Sequence, residues 1–172
     1  MPLKFPGKKG DAVMKYCPLC GKGLVSRETD GRQRIACPSE ECSYVFWDNP
    51  APVVAAIVEL DHSVVLVRNR LWPEKMFGLV TGFLERGETP ETAVIREVRE
   101  ELGLDGTIAG FVGYYSFFEM NQLILAFHVI AQGTPVIGEE LAEVRYVSPD
   151  RLKPWPFGTG HAVRDWLEKR TA

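Results

Sequence analysis

Gly82–Leu104 reads GFLERGETPETAVIREVREELGL. It predicts the end of a strand, a loop and then a helix over Pro90–Leu102. Thr89 is a suitable N-cap residue, Pro90 occupies the first helical position, and Gly103 is suited to the left-handed cap that ends a helix. At about 100° per residue, Val94, Ile95, Val98 and Leu102 share one arc, which is the expected core face. Glu97, Glu100 and Glu101 share a neighbouring arc. Like charges at this spacing repel, at a few tenths of a kcal/mol per pair on an isolated helix. A solvated helix face usually alternates sign. A cluster of carboxylates suits a hard cation such as Mg2+ or Mn2+, above all alongside the phosphates of a substrate. Gly82 lets its own carbonyl approach such an ion, and Glu88 and Arg96 are placed to pair and hold the loop against the helix.

On the N-terminal side the chain carries four cysteines, spaced Cys17-x2-Cys20 and Cys37-x4-Cys42. Two close pairs, each in a tight turn and separated by one hairpin, form the ligand pattern of a four-thiolate zinc ribbon. Leu24–Arg27 and Gln33–Ala36 read as the hairpin strands, with Asp30-Gly31 as the turn signal. Tyr44–Trp47 is a further short strand, and Asp48-Asn49-Pro50 a linker. The expected organisation is a mobile basic arm over 1–15, the ribbon over 16–48 and the main domain over 49–172. In the main domain, strands are expected at Pro52–Leu60, Ser63–Arg68, Phe77–Phe83, Ile108–Glu119, Gln122–Ala131 and Ala142–Val147. A last helix runs from about Gly160 to Lys169. Strands interrupted by two helices predict an α/β class with a mixed sheet.

With 45% hydrophobic and 25% charged residues over 172 positions, the composition is that of a folded globular chain and excludes disorder. The formal charge is -3: residues 1–47 hold 8 basic and 5 acidic residues, and the remainder 12 and 18. An acidic domain that handles phosphates needs cations to do so. The longest apolar run, Ala51–Val58, is too short to span a bilayer. Residues 1–15 have lysines without an apolar core of the kind a secretory signal needs, so a cytoplasmic protein with reduced thiols and no membrane partner is expected.

The spacing around the helix is more specific than its charge. Gly82, Glu88, Arg96, Glu97, Val98, Glu100, Glu101, Gly103 and Leu104 follow the pattern G-x5-E-x7-R-E-U-x-E-E-x-G-U, with U a bulky aliphatic residue. Its seven specified residues match by chance roughly once in 10⁸. The segment resembles the Nudix hydrolase box at every fixed position. That resemblance implies a Nudix fold, a mixed sheet between helices, and hydrolysis of a nucleoside diphosphate linked to another group. It also implies Mg2+ or Mn2+ held by Glu97, Glu100 and Glu101 with the Gly82 carbonyl. The general base varies among Nudix enzymes. Here Glu88, Glu97 and Glu100 are candidates within the box, and Glu139, Glu140 and Glu143 in or beside a later loop; Glu100 ranks first and Glu140 second.

A four-cysteine ribbon ahead of a Nudix domain is similar to the NADH pyrophosphatase group and to ribbon-bearing relatives active on FAD or ADP-ribose. The NADH group's proline- and tryptophan-rich motif does not transfer. Pro154–Phe157 lies too far beyond the box, and the corresponding position reads Tyr115–Gln122. Candidate substrate contacts are Arg68 and Arg70 for phosphates, and Trp72, Tyr115 and Phe117 for a base or flavin. Among the alternatives, a nucleoside triphosphate pyrophosphohydrolase would need a base reader, for which Asn121 is the candidate. A ribbon that binds RNA capped with a dinucleotide is the other alternative. Lys15–Trp47 carries 5 basic and 4 acidic residues, and this balance argues against nucleic acid. A small nucleotide is the expected partner, with a homodimer left open.

Overall fold

The computed structural model describes residues 14–171. Most of the expected basic arm therefore lies outside the described residues. The chain divides into two compact units, with the boundary between Asn49 and Pro50.

The first unit is a three-stranded antiparallel sheet: β1 (Val25–Thr29), β2 (Arg32–Ala36) and β3 (Val45–Phe46), in that order. Asp30 and Gly31 both have positive φ, 50° and 73°, the two-residue hairpin geometry that Asp-Gly favours. The backbone N–H of Gly21 donates to the Cys17 carbonyl at 2.8 Å, closing the first cysteine turn. The N–H of Cys42 donates to the Ser39 carbonyl at 3.1 Å and closes the second. All four sulfurs lie within 4.8 Å of one another; Cys17 and Cys42 approach to 3.6 Å, and Cys20 and Cys37 to 3.4 Å. A tetrahedral zinc with Zn–S bonds of about 2.3 Å sets its sulfurs about 3.8 Å apart, so this cluster could bind zinc. Burial works against ionisation of Cys17, but the backbone N–H groups of Leu19 and Cys20 outweigh it and bring the thiol down to about 7. Cys37→Ser should empty the cluster of zinc and unfold the ribbon locally, because a structural zinc supplies much of such a module's folding free energy. Metal content by mass spectrometry checks the first effect and proteolysis within 14–49 the second.

The second unit holds a six-stranded mixed sheet between two helices. Its strands are β4 (Ala51–Leu60), β5 (Ser63–Asn69), β6 (Val80–Phe83), β7 (Asp105–Phe117), β8 (Gln122–Gln132) and β9 (Leu141–Val147). The order is β7-β8-β4-β5-β9, with β6 paired to β4. Only β4 and β8 run parallel; the other pairs are antiparallel. β4 is almost wholly buried because both of its faces are covered, which is why it reads as a continuous β-branched and alanine run. Its even residues, Val54, Ala56, Val58 and Leu60, pack with Val94, Val98 and Leu102 of helix α1 (Pro90–Leu102). Its odd residues, Val53, Ala55 and Ile57, pack with Ala162, Val163 and Trp166 of helix α2 (Gly160–Thr171). Glu59 continues the odd face. Burial opposes its charge, but hydrogen bonds from Arg170 and His128 outweigh that and hold the carboxyl below its ordinary value.

The limits of α1 agree with the sequence reading at both ends. Thr89 and Thr92 exchange side-chain-to-backbone hydrogen bonds in a capping box, and Gly103 adopts φ 63° at the other end. The expected Phe77–Phe83 strand is shorter, Val80–Phe83, since Gly78 makes only an isolated bridge to Val67. No helix among the described residues is long and apolar enough to cross a membrane.

Candidate active site

The loop before α1 and the helix itself are tied together through one guanidinium. Arg96 lies under the turn that contains Glu88, and all five of its N–H groups are used. Its Nε and Nη2 grip the two oxygens of Glu88 at 2.9 and 3.0 Å. Nη1 donates to Glu97 at 2.6 Å and Glu100 at 2.9 Å, and Nη2 also donates to the Phe83 carbonyl at 3.1 Å. Glu88 in turn accepts the Glu85 N–H at 3.2 Å. Hydrogen bonding to Arg96 outweighs burial and holds Glu88 below the usual carboxylate range. The expected Glu88–Arg96 pair is thus part of a larger network. A planar five-donor fork suits this task, and a lysine could not reproduce it.

Two glutamates have the opposite electrostatics. Burial pushes the carboxyl of Glu97 upward, and the Arg96 charge only partly offsets it. Glu101 is pushed up to about 8, first by burial and then by the charge of Glu97. Glu101 also sits in the last turn of α1, where the helix dipole disfavours negative charge. Two half-buried carboxyls whose charged forms are disfavoured are groups that a divalent cation would stabilise.

Gly82 fits the same reading. It pairs with Val54 in the β4–β6 register, on the sheet face that α1 covers. A Cβ at this position would fall onto the Glu97 carboxylate. Only glycine allows that carboxylate to lie against the strand, and a carboxylate is a hard oxygen donor of the kind that suits Mg2+ or Mn2+. Gly82→Ala is expected to displace Glu97 and lower kcat by about 100-fold while the fold persists. Parallel turnover and thermal-melting measurements check both parts.

Glu140 is brought to the same place by backbone contacts beyond the reach of local sequence. The last carbonyls of a helix lack partners within it. Here Val136 N–H donates to the Leu102 carbonyl at 2.8 Å and Gly138 N–H to the Glu101 carbonyl at 2.9 Å. A Cβ on Gly138 would lie 2.7 Å from the Glu100 carbonyl oxygen, so glycine permits this approach. The segment therefore caps α1 and carries Glu140 to the mouth of a small cleft lined by Val67, Asn69, Trp72, Leu79, Thr81, Glu101, Glu140 and Leu141.

Trp72 reaches this cleft through a specific turn. The Asn69 carboxamide oxygen accepts the Leu71 N–H at 2.9 Å, and the Asn69 carbonyl accepts the Trp72 N–H at 3.0 Å. The indole lies against Gly78, where a Cβ would sit 3.1 Å from the ring. Asn69, Gly78, Thr81 and Gly138 are the contributors that sequence reasoning missed. The only local signal was an Asx-turn residue in the loop carrying the tryptophan.

The other candidates divide. Arg68 is bonded to Glu143 at 3.3 Å, and Arg70 donates through Nε to the Leu141 carbonyl at 3.1 Å. Both therefore brace the β5–β9 edge; Glu143 is engaged there, and Glu139 is exposed. Tyr115 and Phe117 do not join the glutamates. Their rings pack with the α2 core, on the opposite face of the sheet from α1. Tyr115 donates to Asp165 at 2.9 Å, and Phe117 stacks on Phe157 at 6.4 Å. The β7 rings on the α1 side are Phe111 and Tyr114, paired with Phe127 and Leu125. Glu100 is 59% exposed and turned to Arg96.

A family model described as NUDIX domain matches residues 49–166. The chain belongs to the NUDIX domain family. A NUDIX hydrolase from Nitrosomonas europaea has the same fold with a TM-score of 0.77 and 26% identity, covering 92% of this chain and 93% of that one. Among curated relatives, the NAD-capped RNA hydrolase NudC of Pseudomonas aeruginosa is 26% identical over 162 residues, or 91% of this chain and 57% of that protein. The ADP-ribose pyrophosphatase of Methanocaldococcus jannaschii is 29% identical over 131 residues, covering 72% and 77% respectively. The chain thus spans little more than half the length of the NudC relative. Within the NUDIX unit, Gly82 lies against Glu97 of α1, and the Glu140 loop meets the end of the same helix at Glu101.

Proposed function

We propose that this chain is a divalent-metal-dependent hydrolase. Its substrate is a nucleoside diphosphate joined to a second moiety, of the FAD, ADP-ribose or NADH type, cleaved at the pyrophosphate. One arrangement carries this reading: Glu97, against Gly82, and Glu101 are half-buried carboxyls whose pKa values burial raises, while Trp72 and Glu140 line the cleft that Glu101 enters. The names of the NudC and ADP-ribose pyrophosphatase relatives support the substrate class.

Glu97, Glu101 and the Gly82 carbonyl would hold Mg2+ or Mn2+, with Glu100 at the exposed margin. The ion, when bound, offsets the charge of the pyrophosphate and lowers the pKa of water. Arg96 is a positioning residue: it orients Glu97 and fixes the Glu88 loop. Glu140 takes the proton from the attacking water. Glu88 is locked by Arg96 and Glu100 is paired to it, whereas Glu140 is exposed at the cleft beside Glu101. This reverses the order expected from sequence, in which Glu100 came first. Trp72 offers its ring to a base or flavin, an interaction worth about 1–3 kcal/mol. In the ribbon, Cys17, Cys20, Cys37 and Cys42 would hold a structural zinc that leaves no open position for water. Reduced thiols of this kind fit the cytoplasm.

Trp72→Ala should raise KM about 10-fold for all three dinucleotide-type substrates, with kcat changed by less than about threefold. A panel of FAD, ADP-ribose, NADH and nucleoside triphosphates with Mg2+ tests the reading. Preference for nucleoside triphosphates would refute the substrate class and leave the α1 site standing.

A further inference from the structure

The charge balance of the ribbon conceals a segregation. Directly opposed residues of an antiparallel pair share a face, and alternate residues of a strand do too. The register Arg27↔Arg34 and Thr29↔Arg32 therefore places Arg27, Arg32 and Arg34 on one face, with Val25, Thr29 and Ala36. Ser26, Glu28, Gln33 and Ile35 occupy the other. Asp30 is in the hairpin turn, and Glu40 and Glu41 are in the second cysteine turn. One face thus carries three guanidiniums and no carboxylate. Two of them oppose each other directly, an arrangement that costs a small sheet stability.

The same face carries an aromatic ring. The Arg34 guanidinium lies over the Trp47 indole at 4.7 Å and donates to the Trp47 carbonyl at 2.9 Å. Trp47 remains 44% exposed. Among the described residues, the buried side-chain polar atoms without a hydrogen-bond partner are Thr29 Oγ1 and Arg34 Nε, and both belong to this face.

We infer that this face of the ribbon binds single-stranded nucleic acid. Arg27, Arg32 and Arg34 take successive phosphates through their guanidinium forks, and the Trp47–Arg34 stack receives an unpaired base. A duplex hides its base faces and would leave the indole without a role. An acidic peptide lacks the flat ring that the indole matches. The inference concerns the ribbon alone and stands apart from the hydrolase reading. It also overrides the expectation drawn from balanced charge, because a count along the chain averages over two faces that the register separates.

The test is fluorescence anisotropy of the full zinc-loaded chain with a labelled short oligouridylate, between about 50 and 200 mM salt. The expected affinity falls with salt at a log–log slope of about 2, from three phosphates at about 0.7 each. Arg27→Gln/Arg32→Gln, both exposed positions, should bring the slope below about 1 and weaken binding about 10-fold at low salt, with zinc content and nucleotide hydrolysis unchanged. Trp47→Ala should weaken binding about 10-fold and keep the slope. If that variant loses zinc, Trp47→Phe, which retains a ring, should bind within about threefold of the parent protein. Three results would overturn the inference: no binding at low salt, unchanged binding by the double arginine variant, or equal affinity for duplex DNA or polyglutamate.

Discussion

Glu101→Gln is expected to lower kcat/KM by about 1,000-fold and, at the same time, to stabilise the metal-free protein at alkaline pH. The loss follows from removing a carboxylate that would hold the ion; several kcal/mol of transition-state stabilisation go with it. The gain follows from burial and from the Glu97 charge, which push the Glu101 carboxyl up to about 8. A carboxyl with a raised pKa binds more protons folded than unfolded between the ordinary carboxylate range and about pH 8. In that window stability falls as pH rises, since the slope has the sign of unfolded minus folded protons bound. The metal-free protein should therefore lose stability from about pH 5 to pH 8, and the Gln variant should lose less. Thermal melts in chelator across this range check the stability arm, and initial rates with Mg2+ check the other. Equal turnover, or the same pH slope in both proteins, would contradict the placement of Glu101.

Arg96→Lys should be nearly as damaging to activity. The substitution keeps the positive charge, but three donors on a flexible stem replace five in a plane. The two-point grip on Glu88, both contacts at α1 and the Phe83 carbonyl cannot all be kept. Turnover should drop by about 100-fold, and Tm by roughly 3–8 °C. The drop should appear in kcat more than in KM, because Arg96 acts through Glu97 and Glu88 rather than by touching substrate. A change confined to KM would make Arg96 a substrate ligand instead.

How much of this could be read from the sequence depended on range. Helix α1 is set by contacts a few residues apart: the Thr89 cap, Pro90 at the first position and the left-handed Gly103. Its glutamate arc follows from the 3.6-residue period, the Glu88–Arg96 contact from the short loop that leads into the helix, and the four-cysteine cluster from two local turns. The faces of β7 do not. Whether Tyr115 looks toward α1 or α2 depends on its pairing with Ile124 and on the parallel β4–β8 register, both distant in the chain. Two register shifts in β7, near Ala109 and Val112, add to the difficulty. Glu140 is a candidate from the sequence only through family resemblance. Its arrival at the cleft rests on Val136 and Gly138 bonding to the end of α1, a contact that spacing does not encode. The ribbon shows the same limit, since its charges alternate in sequence and separate only in the register of β1 and β2.

Metal-dependent attack of water on a pyrophosphate at the α1 site is tested most directly by mass analysis of the products of ADP-ribose, FAD and NADH formed in 18O-labelled water, with Mg2+ or with chelator. Each substrate hydrolysed should give two monophosphates, with a single 18O on one phosphate, and chelator should abolish the reaction. Intact substrates with Mg2+, or cleavage that leaves the pyrophosphate unbroken, would contradict this mechanism.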